Sequence, residues 1–296
     1  EYIDVELVGD TFDEALASAK LYESKTGASF VHPFDDERII TGQATIGLEI
    51  YEKLENPDLI IAPIGGWWVI SGLISARNAL WKNTQIIGVE PQWACSMMTS
   101  LQKWENTSLT NIDTFVDGAA VARVGENNFN ICKENNIEVI SCPENRICST
   151  ILEFLREDGI VLEPAGAIES DALKSLAGKI EWKTVVVIVS WWNLDFERLP
   201  EIKERSLRFE WKKRYYLVKF PQRPWALKEF LEFLGPDDDI ARFEYMKKSN
   251  RNSAPVLIWI EALWHDNFDN VEVNMQKWGF TFENITHNDM YFNLLV

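Results

Sequence analysis

The chain has 296 residues, 46% hydrophobic and 25% charged, enough for two compact domains with separate cores. Its formal net charge of −17 opposes attraction to nucleic-acid phosphate or an anionic membrane, and the longest basic cluster is the short "RFEWKKR" from Arg208 to Arg214. The opening "EYIDVELVGD" lacks the basic and apolar regions of a signal peptide and the apolar runs are of strand length, so a cytoplasmic protein without nucleic-acid or membrane partners is expected.

From Val5 to about Ser206, strand-like and helix-like stretches alternate. "YIDVELV" reads as a strand and "TFDEALASAKLYESKTG" as a helix, with Thr11 and Glu14 in a capping-box pattern and Gly27 as the stop. "ASFVHPF" then precedes the helical "TGQATIGLEIYEKL", "DLIIAP" precedes "VISGLISARNAL", and "TQIIGVEP" precedes "ACSMMTSLQK". "GENNFNICKEN", "IEVISC", "PENRICSTILEFLREDG" and "AGAIESDALKSLAG" continue the series, which closes on "TVVVIVS". Strands that are apolar nearly throughout require helices on both faces, so the expected fold is α/β with an open, mostly parallel sheet. Beyond Arg208 the order becomes strand "RYYLVKF", helix "RPWALKEFLEFLG", strands "DIARFEYMKK" and "APVLIWIEAL", helix "NFDNVEVNMQKWG" and strand "MYFNLLV". That βαββαβ order is the split-βαβ module, joined to the body through the charged "LPEIKERSLRFEWKKR". The expected domains are 1–206 and 207–296.

Cys95, Cys132, Cys142 and Cys148 show no CxxC spacing, and His32, His265 and His287 are scattered, so neither a disulfide framework nor a metal site is expected. Two strand ends can carry chemistry, because ligands of open α/β sheets bind beyond the carboxyl ends of strands and phosphates favour a helix N-terminus reached through glycines. One is "APIGGWWV", where Gly65 and Gly66 leave the strand. The other is "VIVSWWN", where Ser190 closes a buried strand. Paired glycines also mark ordinary turns, and a serine at a strand end also serves as a cap.

Together with "GDTFDEALASAK", "HPFDDERIITGQATIGLEI", "IIGVEP", "FVDGAAVARVGENNF", "LEPAGAIESDALK" and "PQRPWALKEFLEFLG", these segments resemble threonine dehydratase (threonine ammonia-lyase), a pyridoxal 5'-phosphate (PLP) enzyme of the tryptophan-synthase-β-like fold, PLP fold type II. They occur in that family's order over nearly the whole chain. The resemblance implies a lyase of isoleucine biosynthesis that converts L-threonine to 2-oxobutanoate and ammonia. The family's phosphate-wrapping glycine run falls on Gly65, Gly66, Trp67 and Trp68, followed by Val69; Ser190 falls on the serine that meets the pyridine nitrogen, and Glu163 on a residue of the cofactor pocket. The tail resembles the family's ACT-like regulatory domain, with the effector turn at Pro224, Trp225, Ala226 and Leu227, isoleucine or valine as effectors, and a homo-oligomer, dimer or tetramer. Related readings are a serine/threonine dehydratase or racemase, or a non-catalytic amino-acid sensor.

Two departures accompany the resemblance. The family's serine-phenylalanine-lysine pattern, which bears the Schiff-base lysine, does not occur in the chain, so a preceding segment is expected to carry that lysine and residues 1–296 alone are expected to be inactive. The chain also holds 13 Trp against 15 Gly. Trp67, Trp68, Trp191, Trp192 and Trp225 fall at family glycines, and Trp93, Trp182, Trp211 and Trp259 stand in glycine-like contexts. The expectation is that these positions are glycine in the living protein, encoded by a reassigned UGA codon, whereas Trp264 and Trp278 are genuine tryptophans.

Overall fold

The computed structural model describes residues 3–9, 12–31, 35–65, 68–190, 194–245, 252–264 and 266–295. The body begins with helices α1 (Phe12–Thr26) and α2 (Glu37–Lys53), continues through β1 (Leu59–Pro63), α3 (Trp68–Ala79), β2 (Gln85–Pro91), α4 (Ser96–Lys103), α5 (Glu126–Glu134) and β3 (Glu138–Cys142), and ends with α6 (Glu144–Glu157), α7 (Pro164–Ile180), β4 (Val185–Val187) and α8 (Leu199–Phe209). The four strands form one parallel sheet in the order β3-β2-β1-β4. Alternate residues of β1 serve opposite faces. Leu59 and Ile61 join a core built with α6, α7 and α8, and Ile60 and Ala62 join a core built with α3 and α5. Both faces are covered, which is why the strands tolerate unbroken apolar sequence.

The second sheet is antiparallel, in the order β6-β7-β5-β8, from β5 (Lys213–Pro221), β6 (Asp238–Tyr245), β7 (Ser253–Ala262) and β8 (Thr281–Asn284), with helices α9 (Ala226–Leu231), α10 (Asp266–Lys277) and α11 (Asp289–Leu295). Tyr216, Val218 and Phe220 of β5 alternate with its exposed or half-buried residues and meet Phe230, Phe268 and Val271 of α9 and α10. The other face of the sheet carries Tyr215, Trp259 and Phe292.

The structure corrects several local expectations. Residues 3–9 form no strand; Ile3, Val5 and Leu7 alternate as a half-buried strand would, but no ladder receives them and all three are exposed. Residues 28–31 of "ASFVHPF" are irregular and 32–34, with His32, lie outside the described residues, as do Thr11 of the expected capping box and His265. β4 is only three residues long and pairs only with β1 among the described strands. The closing "MYFNLLV" is helix rather than strand from Met290 to Leu295, Val296 lying outside the described residues. Asn288 supplies its N-terminal cap, its Oδ1 accepting from the Tyr291 N–H at 3.3 Å, and the final strand is the earlier Thr281–Asn284. Much of the expected charged connection is α8. Among the described residues no helix is long and apolar enough to cross a membrane, and no group of three or more His, Cys, Asp or Glu side chains could hold a metal ion.

Candidate functional site

β1 lies between β2 and β4, so the chain leaves β1 toward one neighbour and returns to its other side only after β3. The direction of strand addition changes there, and the crevice beyond the carboxyl ends of β1 and β4 is where such sheets bind ligands. Gly65 and Ser190 stand at those two ends. Gly65 is buried, and a Cβ on it would overlap the Gly118 carbonyl oxygen and lie 2.9 Å from the Ala119 Cβ. The segment at 118–119 thus closes over the strand exit so tightly that no side chain fits. Trp68 opens α3 and Val69 follows it, both half-buried, with Val69 against the α3 core. Gly66 and Trp67 lie outside the described residues.

Across the crevice the exposed Ser190 Oγ donates to Glu163 Oε1 at 2.5 Å. Glu163 is the N-cap of α7, extended at φ −74° and ψ 156°, with Pro164 setting the first turn. α7 reaches Ser190 this closely because its first turn holds Gly166, where a Cβ would lie 2.6 Å from Ser190 Oγ and overlap the Ser190 carbonyl oxygen. The structure therefore brings Gly65, Trp68, Val69, Glu163 and Ser190 to one end of the sheet. Trp191 and Trp192 lie outside the described residues.

Sequence reasoning gave no role to Glu169, further along α7. It is fully buried, and neither carboxylate oxygen has a hydrogen-bond partner among the described residues. Burial, helped by repulsion from Glu163, holds its proton well above the usual carboxylate range. Nearby Asp171 is equally buried but is satisfied by Arg146 Nε at 2.9 Å and Thr150 Oγ1 at 2.9 Å. "EPAGAIESD" contains both residues, yet only the fold shows which carboxylate is paired.

The turn expected to take an effector lies elsewhere, at the start of α9. Trp225 is its N-cap in the left-handed conformation, φ 69° and ψ −8°; Ala226 is buried, and Pro224 and Leu227 are exposed. Arg223 holds the turn by pairing with Glu229 at 2.5 Å.

Comparison with known proteins gives the family. Residues 3–190 match the family described as pyridoxal-phosphate dependent enzyme, and residues 204–295 match the C-terminal regulatory domain of threonine dehydratase. The chain is 44% identical over 298 residues to the biosynthetic L-threonine dehydratase IlvA of Halalkalibacterium halodurans, covering 100% of this chain and 72% of that protein. It is 42% identical to the Staphylococcus aureus protein of the same name, covering 99% of this chain and 71% of that one. Among solved structures, the processed form of threonine deaminase isoform 2 from Solanum lycopersicum superposes with a TM-score of 0.65 at 38% identity, covering 69% of this chain and 56% of that one. The chain belongs to the threonine dehydratase family of pyridoxal-phosphate-dependent lyases.

Proposed function

We propose that the protein eliminates water from L-threonine, giving 2-oxobutanoate and ammonia after hydrolysis, under the control of an amino-acid effector bound by residues 207–296. The observation that carries the catalytic part is the pairing of a sealed, side-chain-free strand exit at Gly65 with a serine hydroxyl at Ser190 across the β1/β4 crevice. This arrangement fits pyridoxal 5'-phosphate. Backbone N–H groups from Gly65 to Val69, at the N-terminus of α3, would hold the phosphate, and Ser190 would meet the ring nitrogen. Bound there, the cofactor supplies an electron sink for loss of the α proton and the β hydroxyl.

The chain's own residues tune that sink. A neutral hydroxyl, unlike a carboxylate, brings no negative charge to stabilise a protonated ring nitrogen, so Ser190 would leave that nitrogen unprotonated, which suits elimination better than reactions that need a deep carbanion sink. Glu163 accepts from Ser190 and orients its Oγ; the same hydroxyl would be free to donate to a ring nitrogen held beside it. The lysine that would move the substrate proton belongs to the serine-phenylalanine-lysine pattern, which residues 1–296 do not contain. In the regulatory part, the turn from Pro224 to Leu227 would take isoleucine or valine, and the protein would assemble as a dimer or tetramer measurable by light scattering.

Replacing Ser190 by alanine in the full-length enzyme tests the reading. The cofactor's absorbance is expected to shift and threonine turnover to fall about tenfold or more, as for loss of a group acting on the reacting atoms. Unchanged absorbance and unchanged turnover would remove Ser190 from the site and the proposed reading with it.

A further inference from the structure

Six non-glycine residues have positive φ among the described residues, and five of them are tryptophan: Trp81 at 54°, Trp104 at 56°, Trp182 at 63°, Trp211 at 57° and Trp225 at 69°. A side chain there presses its Cβ on the following carbonyl oxygen, and bulky residues are rare in this region. Each of the five occupies a motif that glycine ordinarily fills.

Three of them close helices with the same pair of bonds. The Trp81 N–H donates to the Asn78 carbonyl at 3.2 Å and the Lys82 N–H to Arg77 at 3.0 Å; Trp104 and Glu105 reach Leu101 at 3.2 Å and Ser100 at 3.1 Å; Trp211 and Lys212 reach Arg208 at 3.4 Å and Leu207 at 2.9 Å. This is the Schellman closure, with the tryptophan at its left-handed position. The chain provides its own controls. Gly279 and Phe280 make the identical pair to Gln276 and Met275 at 3.0 and 2.9 Å, and Asn136 and Ile137 make it to Lys133 and Cys132 at 3.2 and 3.1 Å. Glycine and asparagine are the residues such closures favour.

The other two sit in tight turns. The Lys183 N–H donates to the Ile180 carbonyl at 3.1 Å across Glu181, at φ −55° and ψ 132°, and Trp182, the geometry of a type II turn whose third residue is normally glycine. Trp225, at φ 69° and ψ −8°, follows Pro224 as the glycine of a Pro-Gly type II turn would. The indoles gain little in return: Trp182 is 102% exposed, Trp81 92%, Trp225 72% and Trp104 64%, and Trp211 is about half exposed against His287. Trp93, Trp259, Trp264 and Trp278 have no positive φ, and Trp259 is buried in β7 against Tyr215. The glycine-like contexts of Trp93 and Trp259 therefore find no counterpart in the backbone, and Trp81 and Trp104, to which their sequence contexts gave no emphasis, do.

We propose that positions 81, 104, 182, 211 and 225 are glycine in the protein its own cell makes, encoded by UGA codons that the cell reads as glycine. The backbone alone carries this, independently of the proposed cofactor site. Its extension to Trp67, Trp68, Trp191 and Trp192 rests on that site, and would turn "GGWWV" and "SWWN" into glycine-rich loops whose backbone amides can approach a phosphate.

The test pairs the gene sequence with peptide masses of the protein purified from its source organism. UGA at all five positions, UGG at Trp264 and Trp278, and peptides carrying glycine at the five are expected. UGG at any of the five overturns the proposal, as does tryptophan in a native peptide across a UGA codon. The full chain made with glycine at the five is also expected to melt roughly 10 °C above the chain made with tryptophan, and an unchanged or lower midpoint counts against the proposal. Glycine at the five turns with tryptophan at 67, 68, 191 and 192 would leave the proposal standing and break the phosphate-loop reading instead.

Discussion

Glu90 shows how a single buried carboxyl ties stability to pH. It ends β2 with no exposed surface, and its two oxygens accept from the Met97 and Met98 N–H groups at 2.8 and 2.9 Å, capping α4. Desolvation outweighs those two bonds and pushes its pKa up to about 8 from an ordinary 4.5. Between those values the folded chain holds a proton that the unfolded chain has released. The stabilising contribution is therefore complete below pH 4.5 and is lost as pH rises through 8, at up to roughly 1.4 kcal/mol per pH unit. Glu144 and Glu169, also raised by burial, act in the same direction. Glu90→Gln cannot ionise, and its amide turns one donor toward another at a cost of about 1 kcal/mol at every pH. Urea denaturation at pH 5 and pH 8 is expected to show a smaller loss of stability for E90Q than for the parent; parallel losses would exclude Glu90 as a source of the pH dependence.

At the scale of elements, close approach decides more than propensity. α3 packs on α2 with Gly72 facing the Gln43 and Ala44 backbone, where a Cβ would come within 2.6 and 2.7 Å of main-chain atoms. Gly178, near the end of α7, has nothing within 4 Å. Alanine improves helix propensity by about 1 kcal/mol at either site, but at Gly72 the overlap with backbone wins, at a cost of about 1–3 kcal/mol. Gly72→Ala is expected to lower the denaturation midpoint and Gly178→Ala to raise it; equal effects would mean that α2 and α3 do not touch through Gly72. The sequence shows neither the contact at Gly72 nor the open space at Gly178. It does show the parallel strands, whose buried runs from Leu59 to Ala62 and from Ile86 to Pro91 leave few alternatives. It misleads at "MYFNLLV", because a short apolar run has no period that separates strand from helix and the deciding cap at Asn288 lies outside the run. Gly65 and Ser190 are legible as strand-end residues. The segment at 118–119 that seals Gly65, and the isolation of Glu169, depend on contacts far apart in sequence and were not.

For the whole molecule, the junction between the two sheets is where regulation by the second module would have to pass. A cleft of about 620 Å³ opens at this junction, lined mostly by body residues such as Trp93, Asp113, Glu144 and Arg208 and, from the second module, by Phe292. Arg205 of α8 crosses its wall. The guanidinium carbon lies 4.2 Å from the Phe115 ring centroid in the body and 5.9 Å from that of Phe292 in α11, while Nε pairs with Glu201 at 2.8 Å and Nη1 with Asp113 at 3.4 Å. The side chain is mostly buried, so these contacts are less weakened by water than surface pairs. Phe115 belongs to the stretch that continues to Gly118 and Ala119 over Gly65, which gives the second module a packed route to the strand exit. Such adjacency shows where coupling could run, and coupling itself requires a measured energy. Arg205→Ala removes the bridge and leaves Asp113 without this partner, at a cost of roughly 2 kcal/mol. Because Arg205 contacts the body through Phe115, Asp113 and Glu201 and the second module through Phe292, calorimetry is expected to show R205A unfolding at a lower midpoint than the parent, with the 213–284 sheet separating from the body. A single transition at the parent's midpoint would mean that Arg205 does not hold the two sheets together, and the route from Phe292 to Gly65 would lose its central link.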